Sequence, residues 1–171
     1  MLHSRAAKLS VAIATLALLT GPVGAEDAGS HATHAPAGAQ AGEVNFATSC
    51  PPEIQSRFNQ AVWTLHSFWY EEALKEFTAI TEAEPSCAMG YWGVAMSQWY
   101  PLWFPPTPAM LKAGAAAVAK GLAVPPATER ERAYLEAIGR FYRDSDTLDH
   151  RTRALAYTQA MEQLHERYPG P

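Results

Sequence analysis

No cluster of lysine or arginine occurs in this chain, and its 13 basic residues are outnumbered by 17 acidic ones. Neutralising a phosphate backbone needs a basic face, so the composition argues against nucleic acid as a partner. The same shortage argues against tight binding to anionic lipid. No nucleophile elbow, glycine-rich phosphate loop, HExxH or HxxxH occurs either. Glu71 and Glu72 are adjacent, point to different sides of a helix and cannot converge as an acid–base pair. The reading is therefore of a protein that is not an enzyme and needs no cofactor. Cysteine is confined to Cys50 and Cys87, without CxxC spacing. Past residue 25 no apolar run is long enough to span a bilayer.

What is present at the start looks like an export signal over residues 1–25. Arg5 and Lys8 are followed by an apolar run from Leu9 to Leu19. That run is too short for a membrane span but suits a signal core. Gly21 and Pro22 break it, and Val23-Gly24-Ala25 offers small residues for cleavage. The expectation is a protein of the periplasm or one that is secreted. Loss of Arg5 and Lys8 with the signal would move the formal charge from −4 to −6. Residues 26–43, rich in Ala, Gly, His and Pro, read as a flexible tether. Residues 44–171 then form one domain.

That domain is patterned as pairs of helices. Phe58, Ala61, Val62, Leu65 and Phe68 fall at helical spacing over Pro52 to about Ser67. Ala73, Leu74, Phe77 and Ile80 make the inner face of a second helix over about Tyr70–Glu82, ended by Pro85. Its wet side carries Glu71, Glu72, Lys75, Glu76 and Glu82, with Glu71 and Lys75 a favourable i,i+4 pair. The next unit opens at Cys87-Ala88, continues through Tyr91, Val94 and Ala95, and passes through an aromatic loop, Trp99 to Pro108. An alanine-rich helix follows to about Leu122, with Ala113, Ala115, Ala116, Ala117 and Ala119 inviting close approach of another backbone. Thr128-Glu129-Arg130-Glu131 is a capping box on an otherwise solvated helix start. Ala133, Tyr134, Ala137, Ile138 and Phe141 form the next buried stripe. Asp149 caps a last helix to about Tyr168, with Leu155, Ala156, Ala160, Met161 and Leu164 inward. The fold class is all-α, as antiparallel helix hairpins stacked into a short solenoid.

Unit starts lie roughly 37 to 40 residues apart, within the range of helical solenoids. Ala73, Phe77 and Pro85 stand at the small, aromatic and terminal-proline positions of a tetratricopeptide repeat, which the chain resembles. LHSFWYEEA, EPSCAMGYWGVAMS, TERERAYLEAIGRFY and AYTQAMEQLHERYP further resemble a group of exported bacterial repeat proteins of undefined function. The resemblance implies three helix pairs and a chain that stops where another repeat would begin, as in a truncated or N-terminal portion. A terminal repeat without a cap leaves an apolar strip, expected at Tyr157, Met161 and Leu164 and available for self-association.

First helices of successive units would run side by side, bringing Cys50 and Cys87 near each other, and in an exported protein such a pair reads as a disulfide. The least ordinary feature is the crowding of aromatic residues. Trp69, Trp92, Trp99, Trp103 and Phe104 are the candidate binding surface. Among the histidines, His31, His34 and His66 are weak metal candidates, with a polar linker favoured for the first two and a structural role for His66. The favoured function is a non-enzymatic module that binds a protein or peptide. The alternative is a periplasmic metal- or small-molecule-binding protein using those histidines and the aromatic loop.

Overall fold

The computed structural model describes residues 44–101, 104–125 and 128–170. The expected signal and tether, with His31 and His34, lie outside the described residues, as does Trp103. Among the described residues six helices follow one another: α1 (Pro52–His66), α2 (Tyr70–Ala83), α3 (Ala88–Ser97), α4 (Pro108–Ala123), α5 (Glu129–Tyr142) and α6 (His150–Arg167). Among the described residues there is no strand. No described helix is long and apolar enough to cross a membrane.

Helix starts follow local chemistry in the second half of the chain. Thr107, Thr128 and Asp149 each sit at an N-cap with extended backbone, and each side chain accepts the N–H three residues on, from Met110, Glu131 and Thr152. Asp149 also accepts the Thr152 hydroxyl, and these two bonds hold its carboxyl below the usual range. Helix α1 has no such cap. Pro51 precedes it and Pro52 occupies the first turn, where a missing N–H leaves no donor orphaned.

Each helix packs on its chain neighbour, and α3 also touches α1 and α5. Among the described residues, α2, α4 and α6 pack only against their chain neighbours. Helix α3 thus sits in the middle, which explains its sequence: seven of its ten residues are buried, and they face every direction. Gly93 lets it approach α2 closely, since a Cβ there would lie 2.1 Å from the Phe77 ring. One apolar cluster runs through the domain, with Phe58, Ala61, Ala73, Phe77, Met89, Leu135 and Phe141 fully enclosed. Burying one such side chain is worth about 1.5–3 kcal/mol.

Several expected details change. Of the five alanines of α4 expected at a close contact, only Ala117 is buried: Ala113, Ala115, Ala116 and Ala119 are exposed, and Gly114, Val118 and Gly121 face inward with Ala117. Gly114 is needed there because the Tyr142 ring lies where a Cβ would go. Lys75 pairs with Glu72, three positions back, at 2.9 Å, instead of with Glu71, four positions back. Leu155 is half exposed, and Arg153 takes the inward position on α6 instead. The cause is the connection between α5 and α6: Arg153 Nη1 donates to the Phe141 carbonyl, at the end of α5, at 2.8 Å and Nε to that of Leu148, just before α6, at 3.2 Å. These carbonyls lack helical partners, and a cation there also suits the helix dipole. The guanidinium lies 4.8 Å from the centre of the Phe141 ring. Of the strip expected to be exposed on α6, Leu164 is buried, Tyr157 packs against the core and Met161 is half-buried. Burial pushes the Tyr157 hydroxyl up to about 12.

Candidate functional site

Three features lie on the surface of this helical body: an extended segment over α1, α3 and α5, a cleft at one end of it, and a band of aromatic rings at the helix turns.

The extended segment is Val44–Pro51. Residues 44, 46 and 48 are half-buried and 45, 47 and 49 exposed, the alternation of a strand-like backbone, although the Ser49 hydroxyl still reaches back to the helices. Phe46 sits over all three odd-numbered helices. Its ring stacks on Phe58 of α1 at 5.7 Å and Trp92 of α3 at 5.8 Å, and meets Tyr134 of α5 edge-on at 5.2 Å. The Arg130 guanidinium covers it at 4.9 Å. The backbone is read as well. Gln55 donates from Nε2 to the Phe46 carbonyl at 2.9 Å and accepts the Thr48 N–H at 3.0 Å through Oε1. Arg130 donates to the Ala47 carbonyl at 3.2 Å. Glu131 accepts both the backbone N–H and the hydroxyl of Ser49.

Glu131 therefore does more than cap. Its carboxylate closes the capping box by accepting the Thr128 N–H, yet the residue is only 3% exposed and is not solvated. At the root of the segment, Cys50 and Cys87 form a disulfide with Cα atoms 4.7 Å apart.

The cleft encloses about 460 Å³ beside the start of the segment, between Val44–Phe46 and the C-terminal half of α1 at Val62, Trp63 and His66, with Ser67 just beyond it. His66 is exposed on its wall. No described cluster of three or more His, Cys, Asp or Glu side chains could hold a metal ion. A second groove of about 560 Å³ lies across α1 and α2, lined by Arg57 and Gln60 of α1 and by Lys75 and Glu76 of α2. Burial pushes the Glu76 carboxyl up, and one of its oxygens is enclosed without a partner in the protein.

The aromatic band divides the predicted surface residues in two. Trp92 and Trp99 are core, 6% and 8% exposed. Trp92 contacts Phe58 and Phe77, and Trp99 stacks on Phe141 at 4.3 Å. Trp92 lies on α3, and a helix that is apolar all round gives no phase from which to read an outward face, while Trp99 lies just past its end, where helical spacing no longer applies. Trp69 and Phe104 are exposed, at 45% and 56%. Phe68, expected on the inner face of α1, joins them at 50% because its backbone has turned to φ 65°. Tyr100, beyond the end of α3, has φ 52°. The rings form a series: Phe68 meets Tyr70 at 6.4 Å, Tyr70 meets Tyr100 at 4.9 Å, and Tyr100 stacks on Phe104 at 5.4 Å. Trp69 meets Trp63 edge-on at 6.2 Å, linking the band to the cleft wall. Tyr70 and Tyr100 are held up by burial, and Tyr100 also by the nearby Glu71 charge.

Compared with known proteins, the chain matches no family model, no curated protein and no solved structure.

Proposed function

We propose that the chain is a non-enzymatic helical-repeat module, a short tetratricopeptide-like stack exported to the cell envelope, that holds a protein or peptide partner. Contact of each odd-numbered helix with the next, while even-numbered helices stay apart, is the arrangement such a stack would produce and supports this reading. Export rests on the signal-like first 25 residues and on a cysteine pair suited to an oxidising compartment.

One observation carries the binding role: Phe68, Trp69 and Phe104 are large exposed apolar side chains gathered at neighbouring turns. Two of the band's residues, Phe68 and Tyr100, occupy left-handed backbone conformations. For a bulky residue that costs about 1–2 kcal/mol each, and such strain collects at ligand clamps. Exposed rings standing on buried rings offer rigid area with little side-chain entropy to lose, which suits a peptide or protein anchor.

The test begins with peptides selected by phage display on the immobilised protein. Trp69→Ala and Phe104→Ala should each weaken capture of the selected peptides about tenfold or more, corresponding to at least ~1.4 kcal/mol. Their melting temperatures should stay near that of the parent, because both side chains are largely exposed. Undiminished affinity in both variants would remove the band from the binding role.

A further inference from the structure

The segment Val44–Ser49 is held in the manner of a bound peptide. Its half-buried and exposed residues alternate along the backbone, and most of its hydrogen bonds to the helices go to main-chain groups. Gln55 takes one carbonyl and one N–H two residues apart, Arg130 takes the carbonyl between them, and Glu131 takes the next N–H. Contacts of this kind accept any extended backbone of the same direction. The selective part is the Phe46 site, walled by Phe58, Trp92 and Tyr134 and covered by Arg130. A second selective part is the Ser49 hydroxyl on Glu131. The donors and acceptor come from α1 and α5, and the aromatic walls from α1, α3 and α5, so the site exists only in the folded helical body.

We propose that this face is a peptide-binding groove occupied in cis by the chain's own Val44–Ser49. With that segment lifted, it takes an extended peptide carrying an aromatic residue three positions ahead of a serine or threonine. The segment is a competitor at high local concentration, since it is joined directly to α1 through Cys50 and Pro51. A tether of this kind typically supplies millimolar effective concentration. Apparent affinity for an outside peptide then falls in proportion to the closed fraction. The disulfide pins the root of the segment at Cys50 and leaves residues 44–49 to the side-chain contacts alone.

The proposal does not depend on the aromatic band, and its test uses different residues. Full-length Phe46→Ala removes the anchor of the internal segment and leaves the groove intact. A fluorescein-labelled VNFATS peptide, read by anisotropy, should bind Phe46→Ala at least tenfold more tightly than the parent chain. The control peptide VNAATS should bind neither. Phe46→Ala with a native helical spectrum that binds VNFATS no better than the parent, or no better than VNAATS, would overturn the proposal. Hydrogen exchange on the parent chain supplies an independent reading should Phe46→Ala fail to fold. Excess VNFATS should speed exchange at the amides of Thr48 and Ser49 as the internal segment is displaced, whereas VNAATS should not. Unchanged exchange at both amides in saturating VNFATS would equally overturn it.

Discussion

Replacing both Cys50 and Cys87 by alanine should lower stability by about 4 kcal/mol in the chain-entropy account of cross-links. The cysteines are 37 residues apart. For a loop of that size the model gives an entropy of about −13 cal/mol/K, or about 4 kcal/mol at room temperature. That is a large share of the roughly 5–15 kcal/mol available to a domain. Cys87 is fully enclosed and Cys50 is 7% exposed, so alanine is a better replacement than serine, which would bury an unpartnered hydroxyl. With a urea slope of about 2 kcal/mol/M, the midpoint should fall by about 2 M. The assay is urea unfolding of the parent and double variant, followed by helical circular dichroism, with the parent repeated under a dithiol reductant. Reduced parent and double variant should unfold near the same urea concentration. A shift below about 0.5 M would mean that the bond does not constrain the unfolded chain as this account requires.

Arg153→Ala should cost about 2–3 kcal/mol, because the Phe141 carbonyl at the end of α5 and the Leu148 carbonyl just before α6 lose a charged donor. Arg153→Lys should recover only part of that loss, since an ammonium cannot reproduce the planar fork over Phe141. Urea unfolding of both variants checks this, and equal stability of Ala and Lys would refute it. Glu76→Gln should raise the melting temperature at pH 7 and leave it unchanged near pH 4. The Glu76 carboxyl is raised in the folded state, so folding binds a proton there, and stability falls as pH climbs from the unfolded carboxyl range through the raised one. Matching pH profiles for parent and variant would refute that sign.

Much of the helical layout was legible because its signals are local. The capping box at Thr128–Glu131 and the Asp149 cap lie within one turn of the N–H groups they satisfy. Ala73 and Phe77 are fully enclosed, as helical periodicity required. The surface was less legible for reasons that lie far apart in the chain. Glu131 and Ser49 are separated by 82 positions, so nothing near Glu131 marks its second partner. The run Val44–Ser49 is too short for its alternation to stand out, and its role comes from three helices it meets only after folding. Phe68 has the spacing of a core residue, but the left-handed turn after α1 carries it outward. Leu155 is the more apolar choice for the interior of α6, yet the Phe141 carbonyl at the end of α5 favours Arg153.

The turns after α1, α3 and α5 each contain a residue of positive φ, at Phe68, Tyr100 and Asp144. Aspartate visits that region with modest penalty; phenylalanine and tyrosine do not. A glycine at position 68 would ease the bend and harden the fold, while deleting one of the few broad oily faces turned to the surroundings. Durability and adhesiveness therefore pull in opposite directions at that single residue, and an engineer seeking a tougher version of this molecule should expect a less sticky one.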